Sequence, residues 1–197
     1  MGTRRLTHAS FFSGIGGFDL GFHRAGFRTV YMCEKNKFCR SVLQQHWPDV
    51  PCGEDINDAK PTEIPAATVW TGGFPCQDVS LARMGEREGL RGQQSGLFYR
   101  FAALVGEVLP RVVVIENVHG LLHSHRGRDF GIVLKTLDRL GYGVAWRVLN
   151  SKDFGVPQSR RRVFIVGVLG DPECAGQILL EPERSQGNPE KGRSPEE

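Results

Sequence analysis

Val112-Val113-Val114-Ile115 is an unbroken apolar, β-branched run, and it constrains the fold more than any other stretch of the chain. A strand with one wet face alternates apolar and polar side chains. A continuous run belongs to a strand covered on both faces, as in the centre of a parallel sheet flanked by helices. Leu6 to Phe12 reads as a strand, Phe18 to Arg24 as a helix, Thr29 to Cys33 as a strand, and Lys37 to Trp47 as a helix stopped by Pro48. Thr68 to Thr71 is strand-like, Leu97 to Leu109 reads as a helix ended by Pro110, and a further helix covers Phe130 to Leu140. Val144 to Leu149 and Arg162 to Val168 read as two last strands. This alternation predicts an α/β chain with a doubly wound, mostly parallel sheet.

The chain has 197 residues, enough for one domain with a real core, and no internal repeat. No apolar run approaches a membrane span, and Met1-Gly2-Thr3-Arg4-Arg5 leads directly into a strand rather than a signal peptide, so a cytoplasmic protein without a membrane partner is expected. Cys33, Cys39, Cys52, Cys76 and Cys174 are odd in number and form no CxxC pair, which favours reduced thiols and no zinc site. Residues 171–197 hold seven acids against three bases, which leaves a net +7 on residues 1–170. That division predicts a basic catalytic domain over 1–170 and an acidic, disordered tail or linker over 171–197. A basic body suits a polyanion such as nucleic acid, although a modest arginine excess also describes a soluble surface.

Five places along the chain put reactive or ligand-binding groups where open α/β sheets bind ligands, at the C-terminal ends of strands. The first strand runs into Phe12-Ser13-Gly14-Ile15-Gly16-Gly17-Phe18, a glycine-rich turn at a helix N-terminus. Counting a dinucleotide fingerprint from Gly14 puts Asp19 where the last glycine belongs. Glu34 ends the second strand, where an acid reaches ribose hydroxyls, and Asp55 stands at the expected tip of the next; together they suggest an adenosine-type ligand. The Val69 strand ends in Gly72-Gly73-Phe74-Pro75-Cys76-Gln77, a proline-braced thiol after two glycines. The Val112 strand delivers Glu116-Asn117-Val118, and a carboxylate at such a place pays desolvation and suits proton donation. Gln158, Arg160 and Arg162 have the spacing that shares one face of an extended segment. His119, His123 and His125 read as a surface loop, and no metal is assigned.

Phe-x-Gly-x-Gly-Gly at Phe12 to Gly17, Pro75-Cys76-Gln77, Glu116-Asn117-Val118 and Gln-x-Arg-x-Arg at Gln158 to Arg162 follow one another in an order that resembles the DNA (cytosine-5)-methyltransferase family. The resemblance covers residues 6–169. It implies a Rossmann-like S-adenosyl-methionine-dependent fold with an antiparallel last strand. It further implies methyl transfer to carbon 5 of a flipped-out cytosine in duplex DNA, through a covalent adduct of Cys76, in the setting of a restriction-modification system. In that picture Glu116 engages the ring, Arg162 and Arg160 hold its oxygen, and Asn117 and Gln158 complete the catalytic set. S-adenosyl-methionine would lie against Phe12, Ser13, Gly14, Ile15, Gly16 and Gly17, with Glu34 at the ribose and Asp55 and Ile56 beside the adenine. Gly73, Pro75 and Leu97, the last in Gly96-Leu97-Phe98, would complete the cofactor contacts.

The loop from Gln77 to Ser95, with Ser80, Arg83, Arg87 and Arg91, is a candidate lid over a flipped base, or simply a solvated loop. Family members normally continue into a target-recognition region and a final Gly-Asn-x-Val segment. This sequence stops after the Arg162 strand and its tail, so a split or truncated subunit is expected, with recognition on a second polypeptide. Two readings share the chemistry or the fold: a tRNA cytosine-5 methyltransferase and a non-catalytic DNA-binding remnant. A nicotinamide or flavin oxidoreductase would share the glycine loop but leaves Pro75-Cys76-Gln77 and the Gln158 to Arg162 element without a task.

Overall fold

The computed structural model describes residues 6–75 and 96–179. Among the described residues seven strands form a single sheet: β1 (Thr7–Phe11), β2 (Arg28–Cys33), β3 (Cys52–Gly53), β4 (Val69–Gly72), β5 (Val112–Val118), β6 (Tyr142–Asn150) and β7 (Arg161–Leu169). Their spatial order is β3-β2-β1-β4-β5-β7-β6. The first five are mutually parallel, and β7 runs antiparallel to both β5 and β6. Helices α1 (Gly17–Arg24), α2 (Lys37–His46), α3 (Leu97–Val108) and α4 (Arg128–Arg139) supply the expected alternation.

The Val112 run is covered on both faces, as its composition requires, but unequally. Val113 and Ile115 are fully buried in the large cluster that also holds Phe11, Trp70, Phe98, Phe101 and Leu137. Val112 and Val114 point the other way and pack against a smaller cluster of Val166, Val168 and Ala175. Ala175 belongs to α5 (Pro172–Leu179), a helix lying where the sequence reading put the start of a disordered tail. Folded structure therefore continues at least to Leu179. The acidic composition of the segment hid a short apolar face, Cys174, Ala175 and Leu179, that covers the second side of the sheet. Gly143 makes this docking possible, because a Cβ there would overlap the backbone of Pro172.

The chain starts at β1, moves outward to β2 and β3, and returns to β4 on the other side of β1. The order thus reverses between β1 and β4, the switch point at which such sheets open a crevice. The loops after β1 and β4 and the end of β2 share that rim. Because β7 is antiparallel, it brings its beginning to the same rim, with Arg162 opposite Val118.

Candidate functional site

On the β1 side of the rim the turn is built by unusual backbone. Phe12, Gly14 and Gly16 all have positive φ, at 55°, 56° and 88°. Two of the glycines leave open room: a Cβ on Gly14 or Gly17 would meet nothing within 4 Å. Gly16 differs. A Cβ there would come within 2.6 Å of Trp47, so its missing side chain is filled by the Trp47 ring and Leu43, and it packs the loop onto α2 rather than opening it to a ligand. Phe12 is half-buried, with its ring edge-on to Phe101 at 6.4 Å, and Ile15 is exposed.

Glu34 fastens this turn to the end of β2. Its Oε2 accepts from the Gly14 N–H at 2.8 Å and its Oε1 from the Asn36 N–H at 2.7 Å. Each carboxylate oxygen has two lone pairs, so both retain capacity for a hydroxyl donor. Asp55 is held by Lys35 Nζ at 2.9 Å and by the Asn57 N–H at 2.9 Å, and these bonds keep its carboxyl below the usual range, the backbone one first. Ile56, expected beside an adenine, is 3% exposed within the large core cluster. Leu97 opens α3, partly buried against the same cluster.

A buried polar seam beneath the glycine loop was not foreseen. Ser10 donates to both oxygens of Asp19, at 2.9 and 3.1 Å, and meets Ser13 Oγ at 2.7 Å. His8 lies 3.7 Å from Asp19, meets Thr29 Oγ1 through Nδ1 and Thr71 Oγ1 through Nε2, and stacks on Phe22. His8 and Asp19 are both fully buried. Burial lowers the His8 pKa to about 4 and raises that of Asp19 to about 6, the latter opposed first by the Ser10 hydrogen bond. The one sequence signal for this seam was Asp19 standing where a dinucleotide motif has glycine.

On the β4 and β5 side, Arg162 Nε and Glu116 Oε1 form an ion pair at 2.8 Å, with side chains 21% and 26% exposed. Gly73 lies directly under it, since a Cβ there would be 3.5 Å from Glu116 Oε2. A cavity of about 360 Å³ opens beside the pair, lined by Glu116, Arg160 and Arg162 with Leu149, Phe154 and Phe164 among its apolar walls. Asn117 points to the opposite face, where Nδ2 donates to the Phe74 carbonyl at 2.9 Å. Arg160 and Arg162 both line the cavity, while Gln158 sits in a bend before β7, where its carbonyl accepts from Ser151 Oγ. Pro75 is exposed at the edge of the described residues. Cys76, Gln77, Ser80, Arg83, Arg87 and Arg91 lie outside the described residues.

Among the described residues no group of three or more His, Cys, Asp or Glu side chains is placed to hold a metal ion, and no helix is long and apolar enough to cross a membrane. The histidines of the loop after β5 include His125, whose Nδ1 meets Asp129 at 2.8 Å.

Both the fold and the sequence have known counterparts. The fold is shared with Dnmt2 methyltransferase of S. pombe (TM-score 0.68, 22% identity, covering 85% of this chain and 51% of that one). It is shared as well with a putative DNA modification methyltransferase from an E. coli prophage (TM-score 0.67, 24% identity, covering 83% and 47%). In sequence, the Type II methyltransferase M.NgoBI of Neisseria gonorrhoeae is 42% identical over 156 residues, 79% of this chain and 48% of that protein. M.HaeII of Haemophilus aegyptius is 38% identical over 158 residues, 80% and 49%. The chain thus spans about half the length of the curated relatives it matches. The family model for C-5 cytosine-specific DNA methylase matches residues 6–194, and the chain belongs to that family.

Proposed function

We propose that this chain carries the catalytic half of a DNA (cytosine-5)-methyltransferase that uses S-adenosyl-methionine, with Cys76 as the nucleophile. The observation that carries the reading is the Glu116–Arg162 pair, set over Gly73 at the end of the strand that leads to Cys76. Carbon 5 of cytosine is too weak a nucleophile to take a methyl group unaided. Addition of the Cys76 thiolate to carbon 6 turns carbon 5 into an enamine-like carbon, dividing one hard step into easier ones. Glu116 holds N3 and the exocyclic amine as charge develops, and Arg162, aided by Arg160, holds the ring oxygen. Carbon 5 would form its new bond to the methyl carbon as the carbon–sulfur bond breaks and the neutral thioether leaves; loss of the carbon 5 proton and expulsion of the thiolate then restore the aromatic ring and the enzyme.

The bound cofactor supplies an electrophilic methyl group on a sulfonium. The open faces of Gly14 and Gly17 and the spare acceptor capacity of Glu34 fit its methionine and ribose portions. A duplex cytosine reaches such a site only by flipping out, at a cost of roughly a few kcal/mol that contacts to DNA offset. In this reading the cavity of Glu116, Arg160 and Arg162 receives the flipped ring, and the setting is a restriction-modification system.

The test is covalent trapping. With S-adenosyl-methionine and duplex DNA bearing 5-fluorocytosine, whose carbon 5 substituent cannot leave, the chain is expected to form an adduct that Cys76→Ala abolishes. The assay is run alone and with the polypeptide encoded immediately downstream. No adduct in either case, or one that survives the substitution, overturns the mechanism; an adduct with tRNA in place of DNA reassigns the substrate.

A further inference from the structure

Asn117 is buried, 3% exposed, one residue beyond Glu116 on β5, and its side chain faces away from the ion pair. Its two amide atoms are both committed to backbone. The Val118 N–H donates to Asn117 Oδ1 at 2.8 Å, which fixes which end of the amide is oxygen, so the NH2 group is the end that meets the Phe74 carbonyl at 2.9 Å. Phe74 has left the ladder: β4 pairs with β5 only as far as Gly72 opposite Ile115. The β4–β5 register ends at Gly72, and the Asn117 amide ties β5 to the backbone two residues further on. The Phe74 ring is itself buried against Phe98, so the anchored peptide cannot slide along the rim without breaking that packing.

We infer that Asn117 is a positioning residue, whose amide pins the Phe74 carbonyl and thereby sets the backbone from which the next two residues, Pro75 and Cys76, depart. The inference rests on the reading of Cys76 as nucleophile and gives Asn117 a task distinct from contact with the substrate. Glu116 and Asn117 then act on opposite sides of the same strand end, one presenting a carboxylate to the ring and the other holding the segment that brings the thiol.

Asn117→Asp is the discriminating variant. It keeps the shape and the acceptor for Val118 but sets a carboxylate oxygen against a carbonyl, and only when protonated does it regain a donor for Phe74. Amide hydrogen exchange of the peptide spanning residues 73–77 is measured without DNA or cofactor, for wild type, Asn117→Asp and Asn117→Ala, between pH 5.5 and 8. Exchange in β1 and α3 serves as the check that each variant is folded. Both variants are expected to exchange at least tenfold faster than wild type at pH 8. The Asn117→Asp ratio should narrow toward wild type on acidification, while the Asn117→Ala ratio stays constant.

Exchange within twofold of wild type in both folded variants, or an Asn117→Asp ratio that does not move with pH, overturns the inference. If Asn117→Ala fails to fold, the isosteric variant alone decides. Adduct formation by wild type on 5-fluorocytosine DNA tests the functional reading separately. Where it occurs, Asn117→Asp should form the adduct at least tenfold more slowly, with affinity for S-adenosyl-homocysteine within twofold.

Discussion

Replacing His8 by Gln should make the stability of this protein fall steeply with rising pH, relative to wild type, between pH 4 and 6. Asp19 carries a raised pKa of about 6 in the fold against 3.8 for a freely solvated carboxyl, because burial disfavours its charge. Folding therefore costs this group about 3 kcal/mol once both states are ionised, and that cost is relieved as pH falls from 6 to 4. His8 has the opposite sense. Its pKa is lowered from 6.5 to about 4, also by burial, so its neutral form is at no disadvantage above pH 6.5 and about 3 kcal/mol is lost as pH falls to 4.

Between pH 4 and 6 the unfolded chain holds a proton on the His8 imidazole, and the folded chain holds one on the Asp19 carboxyl. The two states bind equal numbers of protons at this pair, so its contribution to the pH slope nearly cancels. Without the imidazole only the folded state binds that proton, and stability should fall by about 1.4 kcal/mol per pH unit from pH 4 to 6. Asp19→Asn should show the reverse slope. Urea unfolding at half-unit steps from pH 4.5 to 7, with each variant subtracted from wild type, isolates the pair because every other titrating group is common to both. Ser10, Thr29 and Thr71 also bond to these side chains and do not titrate in this range. A difference curve for His8→Gln that is flat within 1 kcal/mol over that interval would refute the opposed-titration argument.

Gly16→Ala should cost about 2–4 kcal/mol by thermal or urea unfolding, since it forces a Cβ onto Trp47 at 2.6 Å and a side chain into φ 88°. The same change at Gly14, with no atom within 4 Å, should cost about 1–2 kcal/mol, from the backbone alone. On the proposed mechanism, Glu116→Gln and Arg162→Ala should each slow adduct formation on 5-fluorocytosine DNA by about 10²-fold or more, because each removes a charge that faces the ring, and Arg162→Ala also leaves Glu116 without its partner. Ending the chain at Gly170 should lower the melting temperature measurably by uncovering Val166 and Val168, and Gly143→Ala should do the same by expelling Pro172. Tyr142→Phe removes a buried hydroxyl that donates to the Pro110 carbonyl at 2.7 Å and should cost about 1 kcal/mol.

What was legible in the sequence followed from periodicity and from punctuation. The Val112 run required two covered faces, and the βα alternation around it left few topologies in which one strand could have them. That topology places the ends of β1, β2, β4 and β5 on one rim whatever their side chains are, so Phe12, Glu34, Gly73 and Glu116 could be grouped before any contact was known. Arg162 joins them only because β7 runs backwards, and a Val/Ile-rich strand reads the same in either direction.

The remainder depended on partners that no spacing reveals. Asp19 broke a glycine motif, and the break has a physical cause: where a glycine would let α1 pack close to β1, a carboxylate instead spans to Ser10 by hydrogen bonds. Gly16 looked like its neighbours in sequence, yet its role is set by Trp47, thirty-one residues later in the chain. Asn117 is the sharpest case. As a polar residue beside Glu116 it invited a chemical role, whereas the geometry commits both ends of its amide to the backbone. A buried polar side chain with both ends of its amide bonded to backbone is suited to hold a site in place, and telling this from one that reacts required the third dimension.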